Sequence, residues 1–238
     1  KHGTPWAGTF GGGVQYFENG RWTGEWLSEL SQEHVMAMFY DRENDQILVG
    51  TNGNGVYCID IAKRDVKKIR FPFHYNSWVC NLLLDSQQTL WIATSSGLFY
   101  YSEKDDMHEE ILFGDYRICN ASAIQEDGDH ILIACDEGFI IYNKKTKEKE
   151  FITSEQGLPS EYIRSVMPTE RHIWLATRSN IVSIDKETRE IRTFSSFSGY
   201  KIGEFHRNSV AKPGKDYILF GGDNGIICFT PELIISRQ

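Results

Sequence analysis

The chain has 238 residues, of which 40% are hydrophobic, 13% aromatic and 24% charged. This composition is typical of a folded globular protein and excludes disordered, collagen-like and coiled-coil chains. The 33 acidic residues outnumber the 25 basic ones, so the formal net charge is −8. We therefore expect no nucleic-acid groove, because the neutralisation of phosphates needs a basic face.

The N-terminal residues Lys1–Pro5 contain no apolar signal-peptide core. No apolar run in the chain approaches the roughly 20 residues that a membrane helix needs. If the parent protein is exported, we expect its targeting segment to lie outside this chain.

A four-residue motif recurs six times, at intervals of 42, 43, 41, 42 and 45 residues. Each copy is a bulky residue, an apolar residue, a small residue and then usually Thr. The copies are WAGT at Trp6, LVGT at Leu48, WIAT at Trp91, LIAC at Leu132, WLAT at Trp174 and LFGG at Leu219. A period of about 43 residues is in the range of one propeller blade.

A turn residue follows each copy of the motif after three or four positions. These residues are Gly13, Gly55, Gly97, Gly138, Asn180 and Gly225. Asn is the residue other than Gly that best tolerates a positive φ. We therefore predict a left-handed turn residue at all six positions.

Four short strands are predicted around each copy, in the same order along the chain. The first is apolar and ends in an acidic or turn residue, the second carries the motif, and the third and fourth flank a polar turn. No stretch shows helical periodicity. The sequence therefore predicts an all-β fold, a β-propeller of four-stranded antiparallel blades. The predicted blades span approximately 1–30, 31–74, 75–115, 116–155, 156–200 and 201–238.

The predicted ring is incomplete. The chain begins at a second strand near Trp6 and stops after a third strand near Phe229, which gives 22 strands. An open propeller would expose unpaired strand edges. We therefore expect one propeller region that is part of a longer chain, either a seven-bladed propeller or a tandem array of propellers.

Three segments resemble a known family of repeats. They are the copy at 81–98, the lead-in QGLPSEYI at 156–163, and the stretch at 203–232 with GEFHRNS, FGGDNG and FTPE. The chain is similar in these segments to two-component regulator propeller repeats. Such repeats form the extracytoplasmic sensor region of Bacteroides-type hybrid two-component histidine kinases.

The resemblance implies a non-catalytic periplasmic sensor module of an inner-membrane protein. It implies an oligosaccharide ligand derived from polysaccharide breakdown, whose signal is bound or relayed to a downstream histidine kinase and transcription regulator. It further implies an upstream propeller and a downstream immunoglobulin-like domain in the same chain, and a homodimer of the full-length protein. No cofactor, metal or nucleic acid is expected to bind this part of the protein.

The candidate ligand-binding residues lie in the connections between one blade and the next. Aromatic rings stack on pyranose faces, while Arg and Asn hydrogen-bond to hydroxyls or to a carboxylate. In the alternative interpretation, Trp78 and Tyr162 pack between blades and the others are ordinary loop residues. The candidates are His34, Asn76, Trp78, Arg117, Tyr162, Arg164, His206, Arg207 and Asn208.

Acidic residues recur at the ends of the predicted first strands, at Asp41, Asp85, Asp127 and Glu170. Recurrence in successive blades favours a turn role, in which Asp accepts backbone N–H groups, over catalysis. A propeller enzyme such as a lyase or glycosidase stays an alternative, and so does a protein-interaction scaffold. Either would share the fold, because propellers host many functions.

Two basic runs, Lys63–Lys68 and Lys144–Lys149, are predicted to be solvated hairpins, with a contact to an acidic glycan as the alternative. Five cysteines without a Cys-x-x-Cys pair lie in apolar runs and are expected to be buried free thiols rather than zinc ligands. They are Cys58, Cys80, Cys119, Cys135 and Cys228.

Overall fold

The computed structural model describes residues 3–71, 78–102, 107–113, 116–117, 120–195 and 203–236. Of residues 107–109, 112–113, 116–117 and 236 it describes the backbone alone. These residues form six antiparallel sheets in chain order. The chain divides into two compact units, Lys1–Asn120 and Ala121–Gln238, with three sheets each. Within the described ranges, no helix has both the length and the apolar character needed to cross a membrane.

The first unit contains a three-stranded, a four-stranded and a five-stranded sheet. A 3₁₀ turn at Ser28–Leu30 connects the first sheet to the second. The strands are β1 (Trp6–Thr9), β2 (Gly13–Glu18) and β3 (Arg21–Thr23); β4 (Val35–Asp41), β5 (Gln46–Thr51), β6 (Val56–Asp60) and β7 (Asp65–Lys68); β8 (Val79–Leu84), β9 (Leu90–Thr94), β10 (Gly97–Ser102), β11 (Met107–Phe113) and β12 (Tyr116–Arg117).

The second unit contains two four-stranded sheets and one three-stranded sheet. A 3₁₀ turn at Ser154–Gln156 and a short helix, α1 (Pro231–Ser236), complete it. The strands are β13 (Ala123–Asp127), β14 (His130–Cys135), β15 (Gly138–Asn143) and β16 (Lys149–Ile152); β17 (Ser165–Pro168), β18 (His172–Ala176), β19 (Ile181–Asp185) and β20 (Ile191–Phe194); β21 (Phe205–Ala211), β22 (Ile218–Gly222) and β23 (Gly225–Phe229).

The sheets of each unit pack face to face through their second strands. Leu132 on β14 shares a buried cluster with Val166 on β17 and Leu175 on β18. The first strands lie side by side, with β4 next to β8 and β17 between β13 and β21. This is the packing of propeller blades, so the predicted all-β fold of six antiparallel blades is confirmed. The short helix α1, the 3₁₀ turns and the extra strand β12 were not predicted.

The small third residue of the motif is explained by this packing. A Cβ atom on Gly8 would lie 2.3 Å from Cγ1 of Val35, on the first strand of the next sheet. A Cβ atom on Gly50 would likewise lie 2.5 Å from Cγ1 of Val79. A larger side chain at either position would therefore push two neighbouring sheets apart.

The Thr of the motif closes the turn between the second and third strands. Its hydroxyl donates a hydrogen bond to the carbonyl oxygen of the turn residue that ends the connection. In the fourth sheet Cys135 replaces Thr, and its thiol donates to the oxygen of Gly138 at 3.2 Å. The hydroxyl bonds are Thr9 to Gly13 (3.0 Å), Thr51 to Gly55 (2.8 Å), Thr94 to Gly97 (2.8 Å) and Thr177 to Asn180 (3.3 Å).

The predicted left-handed turn residue is found at four of the six positions. Gly13, Gly55, Gly138 and Gly225 have φ values of +68°, +83°, +136° and +139°. The prediction was wrong for Gly97 and Asn180, which do not have a positive φ. A Cβ atom on Gly97 would lie 2.9 Å from the ring of Phe99, so its requirement is space. Asn180 is held by Thr177, whose Oγ1 accepts its backbone N–H at 3.0 Å.

The recurring acids divide into two groups. Asp41 and Asp85 each accept backbone N–H groups, among them those of Glu43 at 3.0 Å and Gln87 at 2.9 Å, as predicted for turn residues. Asp127 instead accepts from the ammonium group of Lys186 at 2.8 Å.

In the fifth sheet the turn role falls to Thr169, not to Glu170. The hydroxyl of Thr169 accepts from the backbone N–H of His172 at 3.1 Å. The fifth sheet thus has no Asp at this turn, and the core tryptophans of the third and fifth sheets differ accordingly. In the third sheet the indole N–H of Trp91 donates to Asp85 at 3.0 Å, whereas the buried indole N–H of Trp174 has no hydrogen-bond partner among the described residues.

The cysteines differ in exposure, although all lie in apolar runs. Cys135 is buried, Cys58 and Cys80 are half-buried, and Cys228 is exposed. The prediction of buried thiols was therefore right for Cys135 and wrong for Cys228, which lies on the open edge strand β23. Cys119 is outside the described residues. Burial raises the pKa of the Cys58 thiol and, far more strongly, that of Cys135.

Replacing Thr94 by Val tests the turn closure. The change removes the donor to the Gly97 oxygen and the acceptor for the Ser96 N–H in a fully buried position. We expect the free energy of unfolding in urea to fall by about 1–3 kcal/mol. Thr94→Ser keeps the hydroxyl and should lose less. Equal losses in the two variants would mean that the methyl group, not the hydroxyl, stabilises the turn.

Alkylation should distinguish the exposed thiol from the buried one by their reactivity. With iodoacetamide at pH 8, Cys228 should react in the native state, while Cys135 should stay unmodified because burial both blocks it and raises its pKa. Peptide mass spectrometry after a timed quench measures both sites in one sample. A denatured sample, in which both react, is the control, and native labelling of Cys135 would contradict its buried position.

Candidate functional site

The upper end of a sheet is defined here as the end that carries the turn between its second and third strands. The connection that leads into the next sheet lies at the same end. In the second unit two backbone hydrogen bonds link the upper ends of successive sheets, from Ile163 N–H to the Cys135 oxygen (3.2 Å) and from Phe205 N–H to the Arg178 oxygen (3.0 Å). The upper ends of these three sheets therefore form one continuous surface.

A large irregular bulge in β21 places three candidate residues on this surface. Phe205 pairs with Gly222, but the next paired residue of β21 is Val210, opposite Phe220. Four residues of β21 thus lie opposite one residue of β22, which carries His206, Arg207 and Asn208 out of the ladder. Asn208 has a φ of +50°, and its N–H donates to the oxygen of Arg164 at 2.9 Å.

One carboxylate joins the three sheets of the second unit. Asp136, in the turn between β14 and β15, accepts from one guanidinium nitrogen of Arg207 at 3.1 and 3.0 Å. Arg164, just before β17, lies 4.0 Å from the same carboxylate. The side chains of Arg164 and Asp136 are about one-fifth exposed, and that of Arg207 is 39% exposed. The cluster therefore combines the largely buried pair of Arg164 and Asp136 with the guanidinium of Arg207, which solvent can reach.

One histidine–carboxylate contact and one further ion pair extend this polar surface. Nε2 of His206 lies 3.1 Å from the carboxylate of Asp223, which also accepts the backbone N–H of Glu204. Glu204 pairs with Arg178, and this hydrogen bond raises the pKa of the guanidinium. Arg164 and Arg207 share Asp136, and Arg178 faces Glu204; with Asp223, the three guanidinium groups are matched by three carboxylates.

Tyr162 adds an aromatic ring beside the cluster. It lies two residues before Arg164, its side chain is among the exposed large hydrophobic residues at 55%, and its N–H donates to Ser160 Oγ at 3.2 Å. An exposed ring next to directional donors and acceptors can stack on the apolar face of a sugar.

The structure thus brings together five of the nine candidates: Tyr162, Arg164, His206, Arg207 and Asn208. His34 and Trp78 belong to the first unit. The His34 ring meets Phe10 edge-on at 4.1 Å, and the Trp78 side chain is 53% exposed. Asn76 lies outside the described residues, and so does the side chain of Arg117.

Sequence reasoning missed three charged residues of this upper end. Asp136, Arg178 and Asp223 each follow directly after a copy of the four-residue motif. In the first unit the same position holds Phe10, Asn52 and Ser95. The residue after the motif is therefore the signal that could have located them, because it lies in the turn at the upper end.

Within the described residues, no group of three His, Cys, Asp or Glu side chains could hold a metal ion. The chemistry that the cluster offers is hydrogen bonding and stacking.

Comparison with known proteins gives a consistent result. No protein-family model matches the chain. The chain is 24% identical over 230 residues to histidine kinase P4 of Formosa agariphila, covering 89% of this chain and 17% of the kinase. It therefore spans less than a fifth of the length of this curated relative.

Solved structures share the fold. The extracellular domain of the hybrid two-component system BT3049 of Bacteroides thetaiotaomicron superposes with a TM-score of 0.78 and 22% identity, covering 100% of this chain and 39% of that one. For BT4673 of the same organism the TM-score is 0.71, with 14% identity and coverages of 95% and 32%. Virginiamycin B lyase from Staphylococcus aureus superposes with a TM-score of 0.68 and 13% identity, covering 92% of this chain and 78% of that one. The resemblance to the extracytoplasmic region of hybrid two-component systems is thereby confirmed.

A double-mutant cycle measures the central ion pair. Asp136→Ala, Arg207→Ala and the double variant should give a coupling free energy of about 0.5–1 kcal/mol at low salt, since the pair is partly exposed. The coupling should shrink at 1 M salt because surface charges are screened. The same cycle on Arg21 and Glu25, which are 72% and 73% exposed, is the control and should give less. Equal coupling in both pairs would contradict the partly buried geometry.

Proposed function

We propose that this chain is a non-catalytic sensor module of a hybrid two-component system and that the upper end of its second unit binds an oligosaccharide. The observation that carries the proposal is the convergence of Asp136, Arg164 and Arg207 from three successive sheets beside the exposed ring of Tyr162. A binding site needs only a few such convergent polar groups. The similarity to extracellular domains of two-component systems supports the sensor role.

The charge balance of the cluster favours a neutral glycan. Arg207 and Arg164 face Asp136, and His206 faces Asp223. An anionic ligand would have to displace one of these carboxylates, whereas sugar hydroxyls can donate to them and accept from the outward N–H groups. Tyr162 would stack on the pyranose ring.

Signalling then depends on differential affinity. A ligand held by three sheets binds more tightly to the arrangement in which Asp136, Arg164 and Arg207 converge, and it shifts the population toward that arrangement. A downstream histidine kinase and transcription regulator, outside this chain, would read the shift.

The wider organisation is part of the same proposal. We infer a periplasmic location, and a parent in which this region belongs to a seven-bladed propeller or a tandem propeller array. An upstream propeller, a downstream immunoglobulin-like domain and a homodimer are the proposed partners.

Thermal unfolding against a panel of oligosaccharides tests the proposal. The panel contains neutral glucan, xylan, mannan and fructan fragments together with acidic glycosaminoglycan fragments. A ligand at 100 times its Kd adds about 2.7 kcal/mol, which moves the midpoint by roughly 5–10 °C for a chain of this size. We expect a shift with one neutral class.

Arg207→Ala should abolish that shift. The matched control is Arg192→Ala, because Arg192 is similarly exposed (37% against 39%) and paired, but lies on β20 outside the cluster. If no oligosaccharide of the panel shifts the unfolding midpoint, the proposed ligand is wrong and a protein-interaction scaffold is favoured. A shift that survives in Arg207→Ala would move the site away from the upper end of the second unit.

A further inference from the structure

The first unit contains a cleft of about 820 Å³ at the end of its sheets opposite the upper end. Its walls come from the first two sheets, with Trp6 and Tyr16 on one side and Met38 and Ile47 on the other. The volume lies within the range of small-molecule sites. None of the residues proposed above to bind an oligosaccharide lines this cleft.

Three aromatic side chains form one wall. The ring centroids of Trp6 and Tyr16 are 5.2 Å apart, and Trp26 lies 6.1 Å from Trp6 and 5.9 Å from Tyr16. Tyr16 is buried, while Trp6 and Trp26 are half-buried and so expose part of their rings. The planes of Trp6 and Trp26 are 80° apart, so the wall offers one aromatic face with a second ring standing at its side.

The rim of the cleft carries charged side chains that make no hydrogen bond or ion pair to other described residues. In the described part of the chain, Arg42, Arg64 and Glu18 take part in no ion pair and no side-chain hydrogen bond. The fourth charged residue of the rim, Asp45, accepts from the hydroxyl of Tyr40 at 2.9 Å.

Arg64 stands out within its own basic run. Lys63 pairs with Asp60 at 2.6 Å and Lys67 with Asp65 at 3.1 Å. Lys68 lies over the ring of Tyr57. The run is thus part of a hairpin, as predicted, and its three lysines have partners within the second sheet. Arg64 instead has a φ of +51° and lines the cleft.

We propose that this cleft is a second binding site, whose ligand is one neutral saccharide unit. The pyranose ring stacks on the face of Trp6, and the nearly perpendicular ring of Trp26 lies beside it. Arg42 and Arg64 donate to the sugar hydroxyls, and Glu18 accepts from them. The two guanidinium groups and the two carboxylates of the rim cancel, so neither an acidic nor a basic ligand gains a net electrostatic advantage. Fixed donors and acceptors around an apolar ring surface are complementary to a polyhydroxylated ring.

Titration of the full 238-residue chain with disaccharides tests the proposal. Cellobiose, xylobiose and mannobiose are the neutral probes, and a glucuronate-terminated disaccharide is the acidic one. Binding is followed by tryptophan fluorescence and by calorimetry. We expect at least one neutral disaccharide to change the fluorescence saturably, and its affinity to change less than twofold between 50 and 500 mM salt.

Variants locate the binding. Arg42→Ala combined with Arg64→Asn should weaken it at least tenfold, and both residues are exposed, so folding is kept. Asn is chosen at 64 because it tolerates a positive φ. Arg21→Ala, an exposed arginine of the same unit that does not line the cleft, is the control. Arg207→Ala should leave this binding unchanged, which separates it from the site in the second unit.

Three outcomes would overturn the proposal. They are the absence of binding by every disaccharide, tighter binding of the acidic probe that weakens with salt, and equal affinity in the wild type and the Arg42→Ala, Arg64→Asn variant. A fluorescence response that is lost in Trp22→Ala, on the exposed outer strand β3, would also contradict the cleft as its source.

Discussion

The hydrogen bond from the last residue of the motif to the turn carbonyl is the constraint on which the upper ends of the first five sheets depend. It closes the connection between second and third strands, and in doing so it fixes the direction of the residue that follows the motif. Where that residue is charged, as at Asp136 and Arg178, it becomes a fixed partner for the connection into the next sheet. A structural repeat thus supplies positions that need not repeat chemically.

The bulge in β21 uses those positions. A regular first strand would point alternate side chains toward its two neighbouring sheets and could not present His206, Arg207 and Asn208 together. Loss of the ladder over these residues is offset by new contacts, from Arg207 to Asp136 two sheets away and from Asn208 to the backbone before β17. The bulge thus gives up ladder hydrogen bonds in β21 and brings side chains from three sheets together. Bulges of this kind are common next to functional sites.

Much of the fold could be predicted because it is periodic. The motif spacing predicts the six sheets, their strand order and the connection where Tyr162 and Arg164 lie, whereas Arg207 lies within strand β21. The bulge could not be predicted, because it depends on a register that differs from the other first strands, and neither could the pairing of Arg207 with a residue 71 positions away. The prediction of a left-handed turn was wrong at Gly97 because a lack of space selects glycine just as a positive φ does. At Asn180 it was wrong because the backbone N–H is held by Thr177 without a positive φ.

Both proposed sites take their residues from more than one sheet, and this decides how either could signal. Within a sheet a continuous ladder of backbone hydrogen bonds holds the strands, whereas neighbouring sheets meet mainly through packed side chains, such as Val35 on Gly8 and Val79 on Gly50, and through single backbone hydrogen bonds at their upper ends. A ligand that touches one sheet alone would stabilise what is already rigid. A ligand that bridges Asp136, Arg164 and Arg207, or the two walls of the cleft, acts on the softer contacts between sheets, where a small change in packing can reach the ends of a unit.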